Sequence, residues 1–324
     1  MNKSKTLFVA ITGYGTMMTI SSSNWISMWM GLEMNMMGFI PLISNKNKTS
    51  SEAMMIYLLT QSVSSVMLMF AITISNLTMN SVFNYLIMMS LLIKLGAAPF
   101  HMWLPEIMTK MSWNMNMILM TWQKIAPMMM MNNLNINNKI LYMSVIMSVI
   151  VGALGGLNQM SLRKIMGYSS INHLGWMLSL TKTKNNWTIY LIIYSMMTIS
   201  VCWMFKQYNI IHINQVNNLN MTMTEKLNYI TMMLSLGGLP PFLGFLPKWM
   251  VIQTMMNNNL LLMLMLMMLC SLISLFYYMR TMTKMMLSFS AMNKWIKTQV
   301  SPMMINIIMM MNFSLPLILI MNMF

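Results

Sequence analysis

Residues 239–249 read LPPFLGFLPKW, three prolines and a lysine inside a stretch that is otherwise apolar for about thirty residues. Proline removes a backbone donor and clashes with the preceding turn, so a helix cannot run unbroken through this segment. In lipid the freed carbonyls and amides have no water to turn to, and a broken helix is tolerated only where it lines a cavity or is buried in protein. A second stretch, IKLGAAPFHMWLPE at 93–106, has the same character, with Lys94 ahead of Gly96 and Pro99.

The rest of the chain explains the setting. Of 324 residues 57% are hydrophobic and 7% charged, and there is no aspartate. Soluble domains carry about a quarter charged residues, whereas here apolar runs near twenty residues recur from end to end. The pattern predicts an all-α, polytopic membrane protein of about eleven transmembrane helices, near 6–23, 24–44, 52–75, 82–104, 114–131, 138–157, 163–181, 187–206, 227–256, 259–284 and 302–322. Lys3 and Lys5 before an apolar run resemble the start of a signal peptide, but no small-residue cleavage site follows, and the run reads as the first span. The 56 methionines stand where leucine or isoleucine would serve equally well, which indicates an A+T-rich, mitochondrial coding bias rather than a thioether site. Cys202 and Cys270 have no partner at metal-ligand or redox spacing and read as small buried hydrophobes.

With the connections alternating between two sides, Lys3, Lys5, Lys46, Lys48, Lys110, Arg163, Lys164, Lys206, Lys226, Arg280, Lys284, Lys294 and Lys297 fall on one side. Only Lys139, Lys182 and Lys184 fall on the other. The positive-inside rule then puts the N-terminus in the matrix or cytoplasm, and the net charge of +15 is accounted for by topology and by anionic lipid headgroups, with no nucleic acid required.

Lys94, Lys124 and Lys248 remain, all inside spans, and Glu33 joins them in WMGLEMNMMGFI. A lysine at mid-membrane costs roughly 2.5–3.5 kcal/mol on insertion scales, so each must face a protein interior or a wet cavity. Structural ion pairs that fix helix register are the simpler reading of any one of them. Four together have the composition of an intramembrane proton relay, because buried carboxyl and amino groups exchange protons at modest energy. The two breaks, Gly96 and Pro99 in the fourth span and Gly237, Gly238, Pro240, Pro241 and Pro247 in the ninth, suggest two five-helix repeats at 6–131 and 138–284 plus a C-terminal helix at 302–322. An odd number of spans per repeat forces the two to be inverted, with a broken fourth helix in each, all within a single membrane domain.

WMGLEMNMMGFIPLI, KLGAAPFHMWLPE, LMTWQKIAP, GGLNQMSLRKIMGYSSINHLGWM and SLGGLPPFLGFLPKW occur in this order over about residues 24–250. Together they resemble the chain 2 family of NADH-ubiquinone oxidoreductase, the mitochondrially encoded antiporter-like subunits of respiratory complex I. The resemblance implies a membrane-arm subunit that translocates protons while NADH, FMN, iron–sulfur clusters and ubiquinone are handled by other subunits, with no cofactor in this chain. It implies the inner mitochondrial membrane, and as partners other membrane-arm subunits such as chains 4 and 4L, nuclear-encoded accessory subunits and a lipid such as cardiolipin. Residue by residue, Glu33 matches the family's intramembrane glutamate, Lys94 and Lys248 the lysines of the two broken helices, Lys124 the connecting lysine, and His173 a polar position between the last two. The resemblance further implies that, relative to fourteen-span bacterial relatives, the first three spans are missing, as in animal versions.

An independent cation/proton antiporter subunit is the competing reading, since it shares broken helices and buried lysines; TWQKIAP, GFLPKW and the coding bias favour complex I. A scaffold without transport would leave the buried charges unexplained. Redox chemistry in this chain is not expected, because there are no cysteine clusters and no dinucleotide fingerprint, and GALGG at 152–156 reads as small-residue helix packing.

Overall fold

The computed structural model describes residues 3–44, 48–78, 82–134, 138–181, 186–218, 221–286 and 302–316. The helices are α1 (Lys3–Ser21), α2 (Trp25–Ile43), α3 (Lys48–Thr78), α4 (Val82–Leu95), α5 (Trp103–Lys110), α6 (Trp113–Met120), α7 (Ile125–Asn133), α8 (Asn138–Leu157), α9 (Leu162–Ser179), α10 (Asn186–Gln207), α11 (Met223–Gly237), α12 (Phe245–Asn257), α13 (Leu261–Met286) and α14 (Pro302–Asn312). Two 3-10 turns, Trp122–Lys124 and Ile213–Asn218, interrupt them. Among the described residues there is no strand pairing beyond one isolated bridge between Ser161 and His212.

The outward faces identify the solvent. On α3 the exposed side chains include Leu59, Val63, Val66 and Phe70, and on α13 Leu262, Met265, Leu269, Leu272 and Phe276. These recur at helical spacing, so each helix presents a continuous apolar stripe outward, an arrangement stable in lipid and costly in water. Among the described residues five helices, α2, α3, α8, α10 and α13, contain segments long and apolar enough to cross a membrane. The chain is an all-helical, multi-pass integral membrane protein.

The chain divides into two compact units, Met1–Ser148 and Val149–Phe324, with the division falling inside α8. In the first, α1 and α2 approach closely at glycines: a Cβ on Gly15 would lie 2.7 Å from the backbone of Asn35. α3 packs along α4 and α5, and at its start Glu52 Oε2 stands 3.2 Å from Lys110 Nζ, which also meets Glu106 Oε1 at 3.1 Å.

In the second unit α9 is buried on every side from Ser169 through Ser179. That explains its mixed composition, SSINHLGWMLS, which has no outward face to segregate. The hydroxyls of Ser169, Ser170 and Ser179 turn back onto the carbonyls of Met166, Gly167 and Trp176. The GALGG stretch packs as its small residues predict, with Gly155 against Tyr168 and Gly156 against Tyr277. α11 opens with a reciprocal cap, Thr222 Oγ1 accepting from the Glu225 amide and Glu225 Oε2 accepting from the Thr222 amide.

Two expectations need revision. The span expected at 114–131 is not one helix but α6, a 3-10 turn and α7. Pro127 is the reason: it cannot donate to the Gln123 carbonyl and its ring crowds that carbonyl, so the backbone loosens at 121–124. The fourth span does not stop at 104, because its second piece, α5, runs on to Lys110. Of the C-terminal helix expected at 302–322, α14 covers Pro302–Asn312, and residues 317–322 lie outside the described residues.

Candidate functional site

Each unit holds one helix broken at a glycine, and these two breaks close in the same way. α4 ends with Gly96 at φ 70°, the Gly96 amide bonded to Ile93 O and the Ala97 amide to Leu92 O, both at 3.1 Å. α11 ends with Gly238 at φ 72°, the Gly238 amide bonded to Ser235 O at 2.9 Å and the Leu239 amide to Leu234 O at 3.3 Å. This is the paired 6→1 and 5→2 cap that a left-handed glycine makes available. Neither glycine has room for a side chain: a Cβ on Gly96 would lie 2.9 Å from Leu104, and one on Gly238 would lie 2.7 Å from the Lys248 ammonium.

In the first unit side-chain donors also reach two carbonyls at the break. Trp103 Nε1 donates to Ile93 O at 3.1 Å, and Gln61 Nε2 donates to Lys94 O at 3.4 Å. Lys94, in the last turn of α4, lies where the helix dipole favours a cation. Its ammonium stands 3.8 Å from Glu33 Oε1 on α2. Lys124 is carried by the 3-10 turn and is almost completely buried.

Lys94 and Lys124 line the same small cavity, together with Asn35, Tyr57, Gln61 and Gln123. Its volume is about 20 Å³, room for one water molecule with polar partners on several sides. Around it Gln123 Nε2 donates to Asn35 Oδ1 at 3.0 Å, and the Tyr57 hydroxyl donates to Gln123 Oε1 at 3.4 Å. Of the expected trio, Lys94 and Lys124 are thus brought to one polar cavity, with Glu33 beside Lys94 rather than in its lining.

In the second unit Lys248, on the first turns of α12, reaches back across the break. Its ammonium donates to Gly237 O at 2.6 Å, so it occupies the negative end of α11, the same electrostatic location that Lys94 has on α4. It also lies 5.7 Å from the Trp176 ring centroid, a cation–π contact. His173, one turn before Trp176 on α9, is buried with Nδ1 2.8 Å from the Tyr190 hydroxyl.

Of the residues expected to break helices, Gly96 and Gly238 cap them, and Gly237 is the last residue of α11. Pro99 lies in the connection between α4 and α5, and Pro240 and Pro241 in the connection between α11 and α12. Pro247 sits in the first turn of α12, where the missing donor costs nothing, so it starts the second piece rather than breaking the first.

Asn35, Tyr57, Gln61, Gln123 and Tyr190 were not singled out from the sequence. Neutral amides and phenols cost far less in a span than a charge, so none stands out by composition. Only the adjacency of Gln123 to Lys124 and of Asn35 to Glu33 offered a signal. Among the described residues no three His, Cys, Asp or Glu side chains gather within reach of a metal ion.

A profile of the NADH:quinone oxidoreductase/Mrp antiporter transmembrane family matches residues 22–274. NADH-ubiquinone oxidoreductase chain 2 of Locusta migratoria is 41% identical over 91% of this chain and 89% of its own length. The protein of that name from Anopheles gambiae is 42% identical over 96% of this chain and 94% of its own. A chain of respiratory complex I from Thermus thermophilus superposes with a TM-score of 0.85 at 21% identity, covering 97% of this chain and 78% of that one, and so shares its fold. With this identity sustained over nearly its whole length, the chain belongs to the NADH-ubiquinone oxidoreductase chain 2 family.

Proposed function

We propose that the buried charges of this chain carry the protons moved by respiratory complex I, of which it is a proton-translocating membrane-arm subunit. The observation that supports this most directly is the cavity shared by Lys94 and Lys124, with Glu33 beside Lys94 and an Asn35–Gln123–Tyr57 hydrogen-bond chain along the wall. Glu33, Lys94 and Lys124 form the relay in the first unit, and His173 and Lys248 continue it in the second. While Glu33 is near, Lys94 holds its proton; when the pair parts, the proton passes through the cavity to Lys124.

The chain is part of an NADH:ubiquinone oxidoreductase and takes a non-redox role in it. NADH, FMN, iron–sulfur clusters and ubiquinone bind to other subunits. Its neighbours are other membrane-arm subunits, of which chains 4 and 4L, accessory subunits and cardiolipin are the proposed ones. An independent antiporter is not favoured, because relatives matched over nearly the whole length carry the complex I name.

Eleven spans in two inverted repeats, 6–131 and 138–284, with a further helix at 302–322, fit the pair of identical glycine caps at the ends of α4 and α11. The proposed location is the mitochondrial inner membrane with the N-terminus in the matrix, on the thirteen-to-three bias of basic residues between the two sides. Of these, Lys46, Lys182, Lys184, Lys294 and Lys297 lie outside the described residues.

Replacing Lys94 by methionine keeps the length of the side chain and removes its charge. The complex is expected to assemble, with fewer protons moved per electron and slower quinone reduction. An unaltered proton-per-electron ratio in the assembled variant overturns the relay and leaves a structural ion pair.

A further inference from the structure

His173 is held by a phenol rather than a carboxylate. Nδ1 lies 2.8 Å from the Tyr190 hydroxyl, and Tyr194, one turn further along α10, places its ring centroid 4.9 Å from the imidazole. Both tyrosines are fully buried. The other titratable groups on the helices packed against α9 include Lys248 from α12, above Trp176, Cys202 and Lys206 from α10, and Cys270, Tyr277, Tyr278, Arg280 and Lys284 from α13; at Gly152, where α8 meets Asn172, there is no side chain to titrate. Among the described residues none of these partners is acidic.

The distinction matters for a group that must change charge. A carboxylate at this distance would fix an imidazolium as a permanent ion pair. A phenol serves both states with the same heavy-atom positions, donating to Nδ1 of the neutral ring and accepting from Nδ1–H of the charged one. Tyr278 on α13 lies near Tyr190, with Ser169 and Tyr277 beside its hydroxyl.

Building on the reading of His173 as a proton carrier, we propose that His173 is loaded through the hydroxyl of Tyr190. In the loading step a hydrated proton binds the Tyr190 oxygen as the phenolic proton moves to His173 Nδ1. Tyr190 ends with one hydrogen as it began, the imidazole gains one, and the water loses one. Unloading through the same bond is the reverse. No electron pair leaves either residue, and no backbone movement is needed.

Tyr190→Phe and His173→Gln, each in the assembled complex, separate this route from the reading on which it rests. The phenylalanine keeps the ring and its packing and removes only the hydroxyl. Its effect is expected on the transfer step, roughly 100-fold for a lost general acid–base group. The readouts are protons moved per electron and the solvent deuterium isotope effect on coupled turnover. Both are independent of how much complex assembles, so a poorly expressed variant still gives an answer. A fall in both variants, with an altered isotope effect in Tyr190→Phe, supports loading through Tyr190. Unchanged pumping in Tyr190→Phe with impaired His173→Gln overturns the Tyr190 route and leaves His173 in the relay. Impaired Tyr190→Phe with normal His173→Gln overturns it too, since the hydroxyl would then act elsewhere. If neither variant is affected, both the route and the place of His173 in the relay fail, whatever Lys94→Met shows.

Discussion

The Lys94 ammonium stands 3.8 Å from the Glu33 carboxylate, close enough for an ion pair and too far for a hydrogen bond. The pair is lopsided, with the lysine side chain 3% exposed and the glutamate 21%. Two unit charges at about 4 Å attract by roughly 4 kcal/mol at an effective dielectric of 20, while desolvation costs several kcal/mol per buried ion. Gain and cost are of similar size, so a small displacement of either residue decides whether the pair holds. That balance suits a switch better than a structural clamp.

Glu33→Gln tests the balance. The amide keeps the shape and loses the charge that faces Lys94. Assembly is expected to survive and the proton-per-electron ratio to fall, as in Lys94→Met. The double variant is expected to be no worse than the worse single one, because both remove the same interaction. Independent, additive losses would show that the two residues act separately.

Gly238→Ala is expected to destabilise the protein by about 1–3 kcal/mol, the cost of a non-glycine residue held at positive φ. The added methyl also meets Lys248 at 2.7 Å and pushes its ammonium off Gly237 O. Thermal unfolding of the purified complex and the proton-per-electron ratio should therefore fall together. Gly237→Ala, at a helical position where the nearest side chain is 3.5 Å away, is expected to do much less.

Much of this architecture was legible because in lipid the decisive residues carry large penalties. A charge in a span and a glycine–proline break each cost kilocalories, so Glu33, Lys94, Lys124, Lys248 and both interruptions stood out. The third interruption, at 121–124, did not, although Pro127 was in plain view: an apolar run conceals a proline that is not accompanied by glycine. The cavity wall was less legible still. Asn35, Gln61 and Gln123 reveal their role only when tertiary packing brings them beside the lysines, and nothing in the spacing of His173 and Tyr190 announces a 2.8 Å contact between neighbouring helices.

Gln123→Leu is expected to weaken both stability and transfer. It deletes the donor to Asn35 Oδ1 and the acceptor of Tyr57, leaving two polar groups without those partners at about 1–3 kcal/mol each. It also replaces a polar wall of the Lys94–Lys124 cavity with an apolar one. Gln123→Glu, which keeps an acceptor for Tyr57, should retain more stability than the leucine variant when unfolding is followed by heat.

Lys110 offers a control outside the relay, at the terminal residue of α5, where it meets Glu52 near the start of α3. Its hydrogen bond to Glu106 raises its pKa above the ordinary lysine value, and the Glu52 carboxylate adds to the rise. A raised folded-state pKa contributes stability that is fully present below the unfolded value, about 10.4, and is lost as pH climbs through the folded one. Such surface pairs contribute less than about 1 kcal/mol. Lys110→Met should therefore cost a small, measurable amount of thermal stability near pH 8, and the deficit should shrink as the buffer passes the lysine's raised pKa. Proton translocation should be unchanged, because Lys110 lies at the end of α5 and does not line the cavity that holds Lys94 and Lys124. A loss of pumping as large as that of Lys94→Met would mean that charge at the membrane surface, rather than the buried set, limits transfer.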